Sequence, residues 1–168
     1  LSLRVFRWER EWEKNGSPFI PLQDYPKEAV AVTSVHDSST MREWWERELS
    51  YSDMLSFFDA LHFDNKIRKE LGSIDSIEGE KPAYTTDLAV ALLSGLVKVP
   101  SMFAIFPIQD WLGLMIDEIH TVRPQDERIN IPGTVSESNW TYRLPLPIEI
   151  LSKNKELIKR LRDITALR

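Results

Sequence analysis

The chain has 168 residues, 42% apolar and 28% charged, ordinary proportions for one globular domain with a core of its own. Its net charge of −5 argues against nucleic acid as a partner, because phosphate binding needs a concentrated basic face. It holds no cysteine and no apolar run near the roughly 18 residues that span a membrane, which excludes thiol catalysis, Cys-ligated zinc, disulfides and a transmembrane anchor, and fits a reducing, cytoplasmic setting.

Leu3–Trp8 reads as the first strand, so the sequence opens inside an element, with no signal peptide and as if cut from a longer protein. Ala29–Val35 reads as the second strand and Met102–Phe106 as the third. Both are continuously apolar or small, the pattern of strands buried on both faces of a parallel sheet. After the second strand, Thr40-Met41-Arg42-Glu43 is a capping box that opens a helix. Leu49 to Pro82 is a polar connection with scattered aromatics and short helices, one of them over Tyr51–Phe63. Thr86 opens an apolar helix from Asp87 to Ser94 that Gly95 stops, and Asp110 is placed as the N-cap of a helix from Trp111 to Ile119. The proline-rich path from Arg123 to Pro147 is aperiodic and reads as a functional or a wrapping loop. Leu157, Ile158, Leu161, Ile164 and Leu167 line one face of a last helix, and the Lys and Arg residues between Lys153 and Arg168 form its solvated face.

Strand, helix, strand, helix is the order of an α/β fold. Three parallel strands cannot close a barrel and leave two open edges, so the pattern implies neighbouring strands elsewhere.

The segment richest in chemistry is His36-Asp37-Ser38-Ser39-Thr40, set where a buried strand gives way to a polar turn. Ligands collect at the carboxyl ends of parallel strands, where side chains converge and loops are free to vary. On spacing alone the pair fits either such a role or a structural one, with Asp37 as a cap and His36 as a spacer. Ser38, Ser39 and Thr40 already offer capping oxygens, which leaves Asp37 free. His36, His62 and His120 stand far apart without a His-x-x-x-His pair, and no glycine-rich phosphate loop occurs, so neither a metal nor another cofactor is expected.

His36-Asp-Ser-Ser-Thr40 followed by Trp44-Trp45 resembles the seventh-strand motif of the 4-α-glucanotransferases, the amylomaltases or disproportionating enzymes of glycoside hydrolase family 77. Other segments match that family in order. Leu3–Trp8 resembles its sixth strand, and Ile105-Phe-Pro-Ile-Gln109-Asp110-Trp-Leu-Gly113-Leu its eighth strand and the following turn. Arg128-Ile-Asn130-Ile-Pro132-Gly133-Thr134, then Asn139-Trp140-Thr-Tyr-Arg143, resembles its terminal motif. The version with His-Asp-Ser-Ser-Thr and Trp-Trp is most similar to the long, multi-modular branch.

The resemblance implies residues 1–168 as the C-terminal portion, about strands six to eight with their helices, of a single (β/α)8 TIM barrel with no second domain. It implies retaining transfer of α-1,4-glucan segments between maltooligosaccharides. Such chemistry needs a carboxylate nucleophile and a carboxylic acid/base about 5 Å apart. It makes Asp37 a third carboxylate that stabilises the transition state. His36, Trp8 and Asn130 become substrate-binding residues, with a turn-forming role left open for Asn130 and a core role for Trp8. No Asp or Glu here matches the nucleophile or acid/base. Asp110 reads as a helix cap and Glu9 as solvated or ion-paired, so the rest of the polypeptide is an implied partner and the fragment is expected to be inactive alone. Trp44, Trp45 and Trp140 read as packing residues, and at most one of the adjacent pair is expected to face the core squarely. Other readings are a non-catalytic glucan-binding or interaction module using Trp8, Trp140 and the loop, a piece of a related α-glucan hydrolase, and a chain that self-associates to cover its open edges.

Overall fold

The computed structural model describes residues 1–71, 80–119 and 122–168. His120 and part of the polar connection, residues 72–79, lie outside them. Three strands, β1 (Ser2–Val5), β2 (Ala29–Val32) and β3 (Phe103–Ile105), form one parallel sheet in the order β1-β2-β3. Leu3 pairs with Val30 and Val30 with Phe103, so these three residues form one row across the sheet.

Each strand is shorter than its apolar run. Phe6–Trp8 coils into a 3₁₀ turn at the end of β1. Past Val32, the Thr33 hydroxyl turns to the Asp110 carboxylate and Val35 N–H donates to Ser38 Oγ at 3.1 Å, which draws Thr33–Val35 out of the ladder. The expectation that β2 and β3 are both buried on two faces holds most nearly for β2, where Ala29, Ala31 and Val32 are buried and Val30 is half-buried. Phe103 and Ile105 are 46% and 56% exposed, because β3 has a strand on one side only and its row partner Leu3 is itself 57% exposed. The opposite face, through Ala31, lies against the hydrophobic core.

Helix α1 (Met41–Glu43) runs straight into a π-turn over Trp44–Glu48. Thr40 Oγ1 accepts from Glu43 N–H as the capping box requires, but the Glu43 carboxylate faces Arg128 instead of returning to the cap. Helices α2 (Tyr51–Ala60) and α3 (Asn65–Glu70) begin at Ser50 and Asp64, whose side chains accept from Asp53 and Ile67 N–H. The helix expected to reach Phe63 stops at Ala60, with His62 at φ 55° turning the chain. Helix α4 (Thr86–Leu96) is capped by Thr85, not Thr86. Gly95 lies inside it rather than ending it, and the missing Cβ has a use: one built there would sit 3.1 Å from Leu61 and 3.2 Å from Phe63.

Helix α5 (Ile108–Leu112) starts three residues before the expected Trp111, with Pro107 at its N-cap, and passes through a 3₁₀ turn into α6 (Ile116–Ile119). A 3₁₀ turn at Pro124–Glu127 and α7 (Ile148–Leu151) bracket a long loop, and α8 (Lys155–Thr165) closes the chain. Leu157 and Ile164 of α8 are buried, whereas Leu167 lies past its end and is 46% exposed. Two of the basic residues expected on a solvated face are engaged instead: Arg160 donates to Leu114 O, and Arg168 to the carbonyls of Val97, Val99 and Ser101.

Aromatic side chains dominate the core. Phe19, Trp44 and Phe57 meet edge-on at centroid distances of 5.0–6.1 Å, geometry that aromatic quadrupoles favour. Trp45 packs on Phe58 at 5.7 Å. Both adjacent tryptophans are therefore buried, contrary to the expectation that only one faces the core, because the π-turn is covered on two sides.

Candidate active site

Eight residues leaving β2, Thr33 to Thr40, form the loop that carries the His-Asp pair. Its two ends are buried and its tip is exposed. Side chains from three remote parts of the chain hold it. From the turn after β1, the Arg7 guanidinium donates to Ser39 Oγ, to Ser39 O at 2.8 Å and to Thr40 O at 3.3 Å, and it lies 5.4 Å over the Trp44 ring. Burial pushes this guanidinium down to about 10, against the pull of Asp110 and Glu48. From α5, Asp110 accepts from the Thr33 hydroxyl and, at 2.9 Å, from Met41 N–H. Asp110 is thus a helix cap, but for α1 rather than for its own helix. Burial raises its carboxyl above the usual carboxylate range, and the two hydrogen bonds and Arg7 act against that rise. From the 3₁₀ turn, Glu127 accepts from the Thr40 hydroxyl and from Arg42 Nη1, both at 2.9 Å.

Glu127 is also the root of the loop over 128–143. Gln109 donates to its backbone oxygen at 3.2 Å, and Arg128 beside it faces Glu43 at 3.6 Å. Further out, Asn139 laces the loop: its Oδ1 accepts from Ile131 N–H at 3.2 Å and its Nδ2 donates to Thr134 O at 3.1 Å. Gly133, at φ 73°, supplies the left-handed turn between them. Trp140 N–H donates to Ile129 O at 2.7 Å. This lacing carries Asn130 over the tip of the other loop, where its Nδ2 donates to Asp37 Oδ1 at 2.6 Å.

Asp37 then has a partner on each oxygen, since His36 Nε2 lies 3.2 Å from Oδ2. The His36 and Asp37 side chains are 56% and 46% exposed. Contacts this open add little to stability, well under about 1 kcal/mol each, so their effect is to fix the plane of the carboxylate. A cleft of about 130 Å³ adjoins the pair, lined by Val35, His36, Gln109, Glu127, Arg128 and Ile129 among others.

The structure therefore brings together three of the four residues singled out for substrate chemistry: His36, Asp37 and Asn130. Asn130 is not the turn former; Asn139 has that task. Trp8 is 52% exposed at the end of the turn after β1, so it is not a core residue, and among the described residues it makes no ring contact with His36. Glu9 is ion-paired, to Arg4 at 3.0 Å.

Trp140 departs from the packing role expected of it. It is 64% exposed, its ring centroid lies 5.2 Å from that of His36, and its backbone adopts φ 66°. A bulky residue in that region carries about 1–3 kcal/mol of strain. Sequence reasoning also passed over Arg7 and Glu127. An arginine one residue before the tryptophan that ends a strand-like run is the one sequence signal for the first.

Residues 1–148 match the sequence profile of the family described as 4-alpha-glucanotransferase. The chain belongs to the 4-alpha-glucanotransferase family. Among relatives, the 4-alpha-glucanotransferase of Chlamydia trachomatis is 34% identical over 154 residues, 92% of this chain and 26% of that protein. 4-alpha-glucanotransferase DPE2 of Oryza sativa subsp. japonica is 31% identical over 98% of this chain and 15% of its own length. The chloroplastic/amyloplastic 4-alpha-glucanotransferase of Solanum tuberosum is 30% identical over 89% of this chain and 20% of its own length. The chain thus spans about a quarter or less of the glucanotransferases it matches.

Its fold is also found in solved amylomaltases. The amylomaltase of Streptococcus agalactiae in complex with acarbose superposes with a TM-score of 0.61 at 21% identity, over 97% of this chain and 26% of that one. The amylomaltase of Corynebacterium glutamicum gives 0.60 at 16% identity over 97% of this chain and 25% of its own. The helix-rich arrangement around a small parallel sheet is therefore one that the family's structures contain.

Proposed function

We propose that this glucanotransferase chain is the C-terminal portion of a single (β/α)8 barrel, spanning its sixth to eighth strands. In this reading the whole protein performs retaining transfer of α-1,4-glucan segments between maltooligosaccharides. Asp37 is the transition-state stabiliser and His36, Asn130 and Trp8 are substrate-binding residues. The observation that carries the reading is the clamp on Asp37, with Asn130 Nδ2 at 2.6 Å and His36 Nε2 at 3.2 Å at the carboxyl end of a parallel strand.

Transfer passes through an oxocarbenium-like state, and an anion already fixed beside that developing charge reorganises little as the charge appears. Held by two partners, Asp37 offers such an anion, while the same partners can shift to sugar hydroxyls as a ring enters. The nucleophile and the acid/base come, in this proposal, from sequence outside these 168 residues. Glu127, the carboxylate in the adjoining cleft, has one oxygen bound by Arg42 and the other by Thr40, so it is committed to structure. A cytoplasmic setting belongs to the same reading, with the absence of cysteine in its support, although the Solanum relative is described as chloroplastic/amyloplastic.

The test is Asp37→Asn in the intact protein. Transfer from maltotriose should fall by about 10²–10³-fold in kcat, the usual cost of losing one preorganised electrostatic partner, while thermal stability stays within about 2 °C, since a half-exposed pair contributes little. Near-normal kcat in a folded Asp37→Asn protein would remove Asp37 from the mechanism.

A further inference from the structure

We infer that Trp140 is a sugar-stacking residue of this site, resting on His36 with one side of its indole and offering the rest to the apolar face of a glucosyl ring bound beside Asp37. The inference deepens the proposed function and rests on its placement of a sugar at Asp37.

Three observations converge on the indole. The backbone at Trp140 has φ 66°, close to the φ 73° of Gly133 in the same loop. A loop that needed only to turn there would carry glycine or asparagine, which adopt that conformation readily. The chain instead keeps its bulkiest type of side chain at a position whose backbone disfavours it, and locks it there through Trp140 N–H to Ile129 O at 2.7 Å. Strain retained at one residue and over-determined by its surroundings is a mark of functional positions.

Packing does not account for it. Trp140 is 64% exposed, and its only ring neighbour among the described residues is His36, at 5.2 Å and 36° from parallel. Its loop neighbours Ser136, Glu137, Ser138 and Thr141 are polar. The third observation is location. A glucose ring presents hydroxyls around its rim and C–H bonds on its faces. Asp37, His36 and Asn130 supply partners for the rim, and among the residues tied to that cluster Trp140 alone brings a broad apolar plane suited to a face. Trp8, though exposed, has no described contact with the cluster.

The experiment compares Trp140→Gly and Trp140→Phe in the intact protein, with maltotriose as substrate. Glycine relieves the backbone, so Trp140→Gly should keep its melting temperature while KM rises roughly tenfold and kcat changes less than about threefold. Trp140→Phe keeps an aromatic face and should recover most of the loss in KM. Unchanged KM in Trp140→Gly, or equal KM loss in both variants together with a lowered melting temperature, overturns stacking in favour of a packing role. The His36→Ala background gives a second check. A further rise in KM on adding Trp140→Gly supports a direct contact, and no further rise makes Trp140 a positioning residue for His36 and overturns stacking. Asp37→Asn keeps the two readings apart. If it abolishes turnover while Trp140→Gly leaves KM alone, only the stacking role fails; if it turns over normally, the site reading beneath both fails.

Discussion

Asn130 is the residue through which the two loops of the site meet, and its amide, 2.6 Å from Asp37 Oδ1, holds that carboxylate in place. Asn130→Ala removes the donor, and Asn130→Asp replaces it with a second carboxylate that repels Asp37. A hydrogen bond to a charged group contributes about 1.5–3 kcal/mol, so kcat/KM on maltotriose should fall roughly tenfold or more in Asn130→Ala and further in Asn130→Asp. Steady-state kinetics of the two variants checks this, and near-normal kcat/KM in both would show that the amide does not control Asp37. The placement of His36 and Asp37 at a strand end was legible in the sequence, because the buried run stops where the hydroxyl-rich turn begins. The contact of Trp140 with His36 was not, since neither its backbone conformation nor that neighbour, 104 positions earlier in the numbering, leaves any trace in local spacing.

At the level of elements, Asp110 shows what spacing can and cannot say. A carboxylate near a helix start is correctly read as a cap, but nothing local tells which helix it serves, and here the N–H it accepts from is 69 residues earlier. The same limit explains the strands. Their apolar runs are legible, whereas the end of β2 is set by Thr33, which leaves the ladder for Asp110, 77 residues on, while Val35 turns to Ser38 in its own loop.

Asp110 also makes stability depend on pH in a definite sense. Its folded-state pKa lies above the ordinary carboxylate value because of burial, so the fold favours the protonated form. This group's contribution is therefore fully present below the unfolded pKa of about 4 and is lost as pH climbs through the raised value. Asp110→Asn cannot ionise and lacks that loss. The stability advantage of the unmodified protein over Asp110→Asn should shrink as pH rises above about 4, as read from denaturant midpoints. A gap that widens with pH would mean that the hydrogen bonds from Thr33 and Met41, with Arg7, outweigh desolvation.

For the molecule as a whole, the sheet sets what the chain can do by itself. It has three strands, and Leu3, Phe103 and Ile105 leave one face largely open. A retaining transfer needs two carboxylates about 5 Å apart, and the cleft beside Asp37 is lined by one, Glu127, already bound on both oxygens. The isolated 168-residue chain should therefore release no glucose from maltotriose, whatever its concentration. Turnover by the purified chain would require a catalytic pair within it and would overturn the division of labour proposed above. The class of fold was readable from alternating strands and helices, but the uneven burial of the strands was not. An apolar run looks the same whether its cover comes from this chain or from elsewhere.

The loop from Thr33 to Thr40 has one more consequence, for the order in which the molecule forms. Its partners Arg7, Asp110 and Glu127 come from 32, 77 and 87 residues away along the chain, while the contacts within it, between Val35 and Ser38, shape only its tip. Pairings this distant carry a large closure entropy and are made late. The loop thus takes its shape only after the sheet and the helices behind it have come together, and it loses that shape early when they loosen. The amide of Met41, held by Asp110 at the head of α1, becomes a natural gauge of this event: its hydrogen-exchange protection measures how often the Asp110 clamp releases.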